Sequence, residues 1–423
     1  MARWSALAGF AAGLYLNRAR TAVAGYLRDD PMAQLSLRSG WHDPYPIYER
    51  LREPGPLHRR PDGLWVATGH AACSQLLHDR RLGVQAADGT DQRAMDLSFL
   101  ERDPPDHTRL RRLVTPAFGP RRTAGYRPRV EQLTADLVDA ARRKGRFDLI
   151  TDLAAPLPIT VITDLLGIPD TDLARFSRYG TAVGAAIGGV RSVRQVRDLI
   201  TAQRELTVLF GELFERRKQD PGDDVISMLA TADGERLRPG ELVSLCTLLL
   251  IAGFETTVNL IGSAVLALLD NPEQWQAFRA DPALAPRVVA EALRFDPPAQ
   301  RTFRVVQQPV QVEGRTLNPG DGVLIMIAAA NRDPAVYPDP DRFDLHRSNP
   351  AEHLAFSAGI HYCLGAPLAR LEGEVVLAAI AERLDLQRSG RVVRRPGGTI
   401  RGPLRLPVRL PAAGTAPLLH DHV

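Results

Sequence analysis

Lysine is nearly missing from this 423-residue chain: of 53 basic residues only Lys144 and Lys218 are lysines, and the rest are arginine. That skew reflects codon usage in a GC-rich genome rather than a physical need, and it points to a bacterial source. Cysteine is scarce as well. Cys73, Cys246 and Cys363 are too few for a disulfide framework and too scattered for a structural zinc site. They also fall short of the four thiolates of a cysteine-ligated iron–sulfur cluster. A reducing, cytoplasmic compartment is the natural setting. No charge sign dominates, since the formal net charge is only +4, which makes no general case for nucleic-acid binding. There is no internal repeat, no low-complexity linker and no Gly-rich dinucleotide or flavin motif. What is present is an ordinary globular composition, 44% hydrophobic and 24% charged with 34 Gly and 33 Pro. Disordered, collagen-like and fibrous classes are thereby excluded.

Two stretches imitate membrane segments. Ser5 to Leu16 is apolar, with Arg3 before it and Arg18 and Arg20 after it. It is too short to span a bilayer, and its arginines sit between the apolar run and the small-residue Ala22-Val23-Ala24 that a cleavage site would need. A packed or surface-lying N-terminal helix is expected there, in preference to a membrane-touching helix or a cleaved signal. Leu242 to Leu269 is long enough to span, with Glu255 as its only charge. A carboxylate near the middle of a membrane helix is expensive, whereas the central helix of a large folded protein is also apolar all round.

The rest of the chain reads as mainly α with minor β. A helix is expected from Tyr45 to Arg52, a short strand at Leu64–Ala67 and a further helix through Leu76. Helical periodicity runs from about Arg109 to Leu269, broken by Pro and Gly at points such as Ala117–Pro120, Gly167–Asp170 and Gly188–Gly189. A helix from Leu284 to Phe295 stops before Pro297-Pro298. Short strands fill 302–326 around a turn at Asn318-Pro319-Gly320, and a last helix spans Pro367 to Leu384. The expected layout is an N-terminal extension over 1–40, a main domain over 41–412 and a tail over 413–423.

The most informative segment is Phe356-Ser357-Ala358-Gly359-Ile360-His361-Tyr362-Cys363-Leu364-Gly365. A cysteine ends an irregular loop just before Ala366-Pro367 opens a helix, Pro being favoured at the first helical position. Sulfur there faces free N–H groups and the positive end of the helix dipole, which favour thiolate. The glycines let backbone pass close to something large and flat. A lone cysteine is otherwise most often a packed core residue.

The spacing Phe-x-x-Gly-x-His-x-Cys-x-Gly resembles the haem-thiolate loop of the cytochrome P450 family, with Ser357 standing where a glycine is more usual. Supporting motifs follow in the family's order, from about residue 43 to 384. The resemblance implies a cytochrome P450 fold enclosing a buried haem b, iron protoporphyrin IX, with Cys363 as its metal ligand, Phe356 covering its proximal face and Gly365 beside it. Glu291-Ala292-Leu293-Arg294 and Arg347 resemble the family's buried charge network, which fixes the cysteine loop. Ala252-Gly253-Phe254-Glu255-Thr256-Thr257 resembles its oxygen-activation segment. There Ala252 and Gly253 let backbone approach the haem, Thr256 bonds dioxygen and Glu255 delivers protons. His107, Arg111, Arg304 and His361 match partners of the haem propionates.

By the same resemblance the function is monooxygenation of a lipophilic organic substrate, by hydroxylation or epoxidation, with secondary metabolism as the expected setting. A peroxide-using peroxygenase and a non-catalytic haem sensor are the alternatives. Neither needs an acid–alcohol pair such as Glu255–Thr256. Electrons are expected from a ferredoxin and its ferredoxin reductase on separate chains, with Arg109, Arg112, Arg121 and Arg122 as a basic docking patch. Pocket walls are expected from Val84–Leu100, Ala182–Val196, Leu248–Ala252 and Pro298–Phe303. Cys73 and Cys246 match no ligand position.

Overall fold

The structure is a computed structural model that describes residues 2–86, 96–169, 178–180, 182–184, 191–231, 237–348 and 352–411, with side chains from residue 13 onward. The turn at Gly188–Gly189 and parts of the walls expected at 84–100 and 182–196 lie outside the described residues. Helix α1 spans Ala2–Leu27, carrying the apolar run from Ser5 to Leu16 and continuing past it into the extension expected to be helical. Nothing in Asn17–Leu27 opposes a helix until Asp29 turns left-handed (φ +55°) and Pro31 follows.

Helix α2 covers Tyr45–Arg52. Strands β1 (Leu57–Arg59) and β2 (Trp65–Ala67) form a hairpin in front of α3 (His70–His78) and β3 (Leu82–Gly83). Helices α4 (Asp106–Val114), α5 (Pro120–Lys144), α6 (Pro156–Leu166) and α7 (Val193–Gln219) come next. Proline stands within the first two positions of α5 and α6. The hydroxyl of Ser192 caps α7 by accepting from the Gln195 N–H at 3.1 Å. Helix α8 (Glu241–Asp270) is followed by α9 (Ala285–Phe295), β4 (Thr302–Val306), β5 (Gly322–Ile325) and α10 (Ala366–Arg383). Near the C-terminus, β6 (Val393–Arg394) pairs with β7 (Pro403–Arg405).

The main sheet runs β1-β2-β5-β4-β3, with β2 and β5 parallel and the other pairs antiparallel. Helix α8 forms the axis of the helical body and packs against α6, α7, α9 and α10. It is the one described helix long and apolar enough to cross a membrane, and 83% of its most apolar window is buried inside the protein. Its hydrophobic surface is thus spent on neighbouring helices. The remaining apolar space, between α8 and the start of α10, is a cavity.

Candidate active site

The loop before α10 is shaped by two left-handed residues, Ser357 (φ +59°) and Gly359 (φ +64°). A Cβ at Gly359 would stand 2.5 Å from the Leu77 carbonyl oxygen, so only glycine fits. Ser357 adopts the same region with a Cβ, at a cost of roughly 1–2 kcal/mol, which accounts physically for glycine being more usual there. The Cys363 N–H closes the loop by donating to the Phe356 carbonyl at 2.8 Å. The Phe356 ring lies under the Arg370 guanidinium, 4.8 Å from its centroid. Gly365 caps α10, and the space where its Cβ would stand is open.

Cys363 faces the cavity. Burial in the protein pushes its thiol up, and the Gly365 N–H, Arg111, the Ala366 N–H and Arg370 pull it back without overcoming burial. The donors at the helix start thus act in the direction that the sequence suggests, against the burial. A metal cation at the sulfur supplies what is missing, because coordination deprotonates a thiol outright. Cys73 and Cys246 are buried thiols, also pushed up by burial.

Behind the loop, the structure brings Glu291, Arg294 and Arg347 together. The Arg294 guanidinium donates from Nε and Nη2 to the two Glu291 carboxylate oxygens, both at 2.8 Å. Arg347 Nε adds a bond to Oε1 at 3.3 Å and the Asp344 N–H another at 2.9 Å. Arg294 also donates to the carbonyls of Asn331, Pro340 and Arg342. Asn331, fully buried, passes this frame to the cysteine loop: its Oδ1 accepts from the Leu354 N–H at 2.7 Å. No sequence motif pointed to Asn331.

At one edge of the cavity four donors converge. The His107 and His361 rings lie 4.6 Å apart, and both ring nitrogens of His107 and Nε2 of His361 have no hydrogen-bond partner among the described residues. Burial, then Arg304, His107 and Arg111, push His361 down to about 3. Burial pushes Arg304 down to about 10, with Asp103 the one charge acting against it. A cluster this rich in buried donors and poor in acids suits an anionic ligand. Arg111 and Arg304, with the unpartnered histidine nitrogens, fit the two propionates of a haem seated between Cys363 and α8.

Across the cavity, Ala252 and Thr256 of α8 face the open space. Thr256 Oγ1 donates to the Ala252 carbonyl at 2.7 Å, and Thr257 Oγ1 to that of Gly253 at 3.3 Å. The helix runs through this segment without a break. Gly253 also lines the cavity, and its smallness has a second use. A Cβ there would stand 2.8 Å from Ile162 Cδ1, so the glycine lets α6 close on α8. Glu255 is buried, with its carboxylate ion-paired to Arg395 after β6 and packed against Gly184, where a Cβ would overlap it. Burial pushes its pKa up and Arg395 pulls it down, leaving it raised.

The cavity has a volume of about 1230 Å³. Val84–Ala86, Leu97, Phe99 and Leu100 line it, as do Leu248, Leu249 and, beyond α9, Pro298, Ala299 and Arg301–Phe303. None of the described residues of 182–196 does; α7 contributes Leu199 instead. Thr399 and Ile400, from the loop between β6 and β7, and Glu372 on α10 were not anticipated. Glu372 is fully enclosed, and burial pushes its carboxyl up to about 8. The expected docking patch is only partly available. Arg109 is bound to Glu241 and Arg122 to Asp223; by accessibility alone, Arg112 and Arg121 are exposed.

Comparison with known proteins follows the same lines. A family model described as Cytochrome P450 matches residues 279–398. The chain is 41% identical to the cytochrome P450 monooxygenase PikC of Streptomyces venezuelae, over 87% of this chain and 91% of that one. It is 37% identical to 6-deoxyerythronolide B hydroxylase of Saccharopolyspora erythraea, over 87% and 96%. The ligand-free crystal structure of Mycobacterium smegmatis CYP164A2 superimposes with a TM-score of 0.84 at 38% identity, covering 90% of this chain and 99% of that one.

Proposed function

The chain belongs to the cytochrome P450 family, a haem-binding monooxygenase family, and from that premise we propose that Cys363 is the haem ligand of an enzyme that hydroxylates a polyketide-like lipophilic substrate. The observation that carries this reading is the facing arrangement of the Cys363 sulfur and Thr256 across an apolar cavity edged by His107, Arg111, Arg304 and His361. Haem ligated by a thiolate supplies the O–O bond cleavage that no side chain can perform. The chain supplies the rest.

Phe356 and Gly365 leave room for a flat group at the sulfur, and the Glu291–Arg294–Arg347 network with Asn331 holds the loop that presents it. Thr256 Oγ1 lines the cavity on α8, and it serves there by turning from the Ala252 carbonyl. Glu255 suits a general acid, since burial favours the carboxyl form that has a proton to give. The aliphatic walls exclude water and favour an apolar substrate of some size. The size of the cavity and the likeness to 6-deoxyerythronolide B hydroxylase support a macrocyclic or comparably large scaffold.

As a member of its family the protein takes electrons from a redox partner. We infer a ferredoxin with its reductase, met at the exposed Arg112 and Arg121, and a cytoplasmic site of action, in keeping with three free thiols. The test is turnover of macrocyclic polyketides with NADH, a ferredoxin and its reductase, beside a parallel reaction driven by hydrogen peroxide. Product from the NADH-driven arm supports the monooxygenase. Product from peroxide alone would indicate a peroxygenase, and none from either arm, with haem bound, a sensor.

A further inference from the structure

Helix α1 presents an outer face that nothing in the described structure covers. Its inner face is Leu14, Thr21 and Gly25, where a Cβ on Gly25 would stand 2.5 Å from Leu37, and Arg18 ties the helix to the start of α7 by donating to the Arg191 carbonyl at 3.1 Å. At 100° per residue, Tyr15, Ala19, Val23 and Tyr26 fall on the opposite side, with Leu16 and Leu27 beside them. The five large apolar residues of this stripe are 43% to 81% exposed. The stripe is about 18 Å long at 1.5 Å per residue. Arg20 lies on one edge, and Arg28 stands at its end.

Charge points to the occupant. Residues 1–28 contain four arginines and no acidic residue. A second copy of the helix laid against this stripe would bring like charges together with no carboxylate to pair them. A charged protein partner would leave five large apolar side chains unused. An anionic bilayer surface satisfies both features, because aliphatic and aromatic side chains enter the headgroup–acyl boundary while arginines meet lipid phosphates. We propose that α1 is an interfacial helix that docks the protein on an anionic phospholipid surface through Tyr15, Leu16, Val23, Tyr26 and Leu27, with Arg20 and Arg28 on lipid phosphates. The helix lies on the membrane and does not cross it. This inference is independent of the reading of the cavity.

The test is co-sedimentation of the full-length haem-loaded protein with vesicles of phosphatidylcholine alone and of phosphatidylcholine mixed equally with phosphatidylglycerol. Binding is expected to the mixed vesicles and not to the neutral ones, and to weaken as salt rises. The double variant Leu16→Ser, Leu27→Ser should weaken it at least about tenfold. Arg20→Gln should weaken it by roughly fivefold. Both variants alter exposed side chains, so their haem spectra should match wild type. Wild type that binds neither vesicle, or both equally, overturns the proposal. So do variants that bind as wild type does, and so does self-association of wild type that the double variant abolishes.

Discussion

The two walls of the cavity hold their functional groups in opposite ways. On the Cys363 side the network behind the loop has its working partners in place. Glu291 accepts four hydrogen bonds, Arg294 fills three carbonyls besides its carboxylate, and Asn331 hands the frame to Leu354 and the loop. On the α8 side the groups with chemistry to do are bound to placeholders: Thr256 to its own helix at Ala252, Glu255 to Arg395. On the proposed mechanism the first wall stays as it is, and the second exchanges partners to act. Arg395 belongs to the stretch that also supplies Arg394 and Arg401 to Asp296, and Thr399 and Ile400 to the cavity. The movable wall is therefore hung from a fixed anchor at the end of α9.

The comparison fails if the rigid wall tolerates damage. Glu291→Ala leaves Arg294 and Arg347 as stranded buried cations, costing about 3–5 kcal/mol, and should yield protein that does not retain haem. Haem content per folded chain checks this, and a fully loaded variant would show the frame to be dispensable. On the other wall, Thr256→Ala should fold and load haem normally yet lose on the order of 100-fold in product formed per NADH consumed. The electrons should appear as hydrogen peroxide, and added peroxide should partly restore product. Coupling equal to wild type would return residues 252–257 to a packing role.

The anchor is tested by acid. Burial would push Asp296 up, but Arg401, then Arg394, with the Tyr45 hydroxyl and Arg332, hold it down at about 2. The unfolded chain takes up this proton near the ordinary carboxylate value of 3.8. Between those values the unfolded state binds more protons, so stability rises with pH across the window and is lost as pH falls through it. Asp296→Asn should remove about 2 kcal/mol at neutral pH and flatten the acid limb of a urea-denaturation series. The smallest effect belongs to Ser357→Gly. It relieves a left-handed Cβ, loses part of that gain to the greater freedom of the unfolded chain, and should change stability by no more than about 1 kcal/mol. Thermal unfolding of the haem-loaded variant measures it, and a large loss would mean that the Ser357 hydroxyl has a structural partner.

What the sequence made legible was local. The cysteine loop, the Glu291–Arg294 pair one helical turn apart and the acid in α8 each lie within a few residues and carry their own geometry. So do the bounds of α2, α8, α9 and α10, which repeat, cap or stop as their patterns require. What escaped reading was brought together by the fold from far apart. Arg395 reaches Glu255 across 140 positions, and Glu241 claims Arg109 across 132, which removed that arginine from the expected docking patch. Asn331 and Glu372 carry no spacing that marks them, since a buried amide or acid looks like any other until its neighbours are known. Gly253 was legible as a small residue but not as the contact with Ile162.

The most direct test of the account is the spectrum of the reduced, carbon-monoxide-bound protein, measured for wild type, Cys73→Ala, Cys246→Ala and Cys363→Ala. The account predicts the red-shifted Soret band of thiolate-ligated haem in wild type and in the two buried-thiol variants, and its loss in Cys363→Ala alone. A Cys363→Ala protein that kept this band would contradict it.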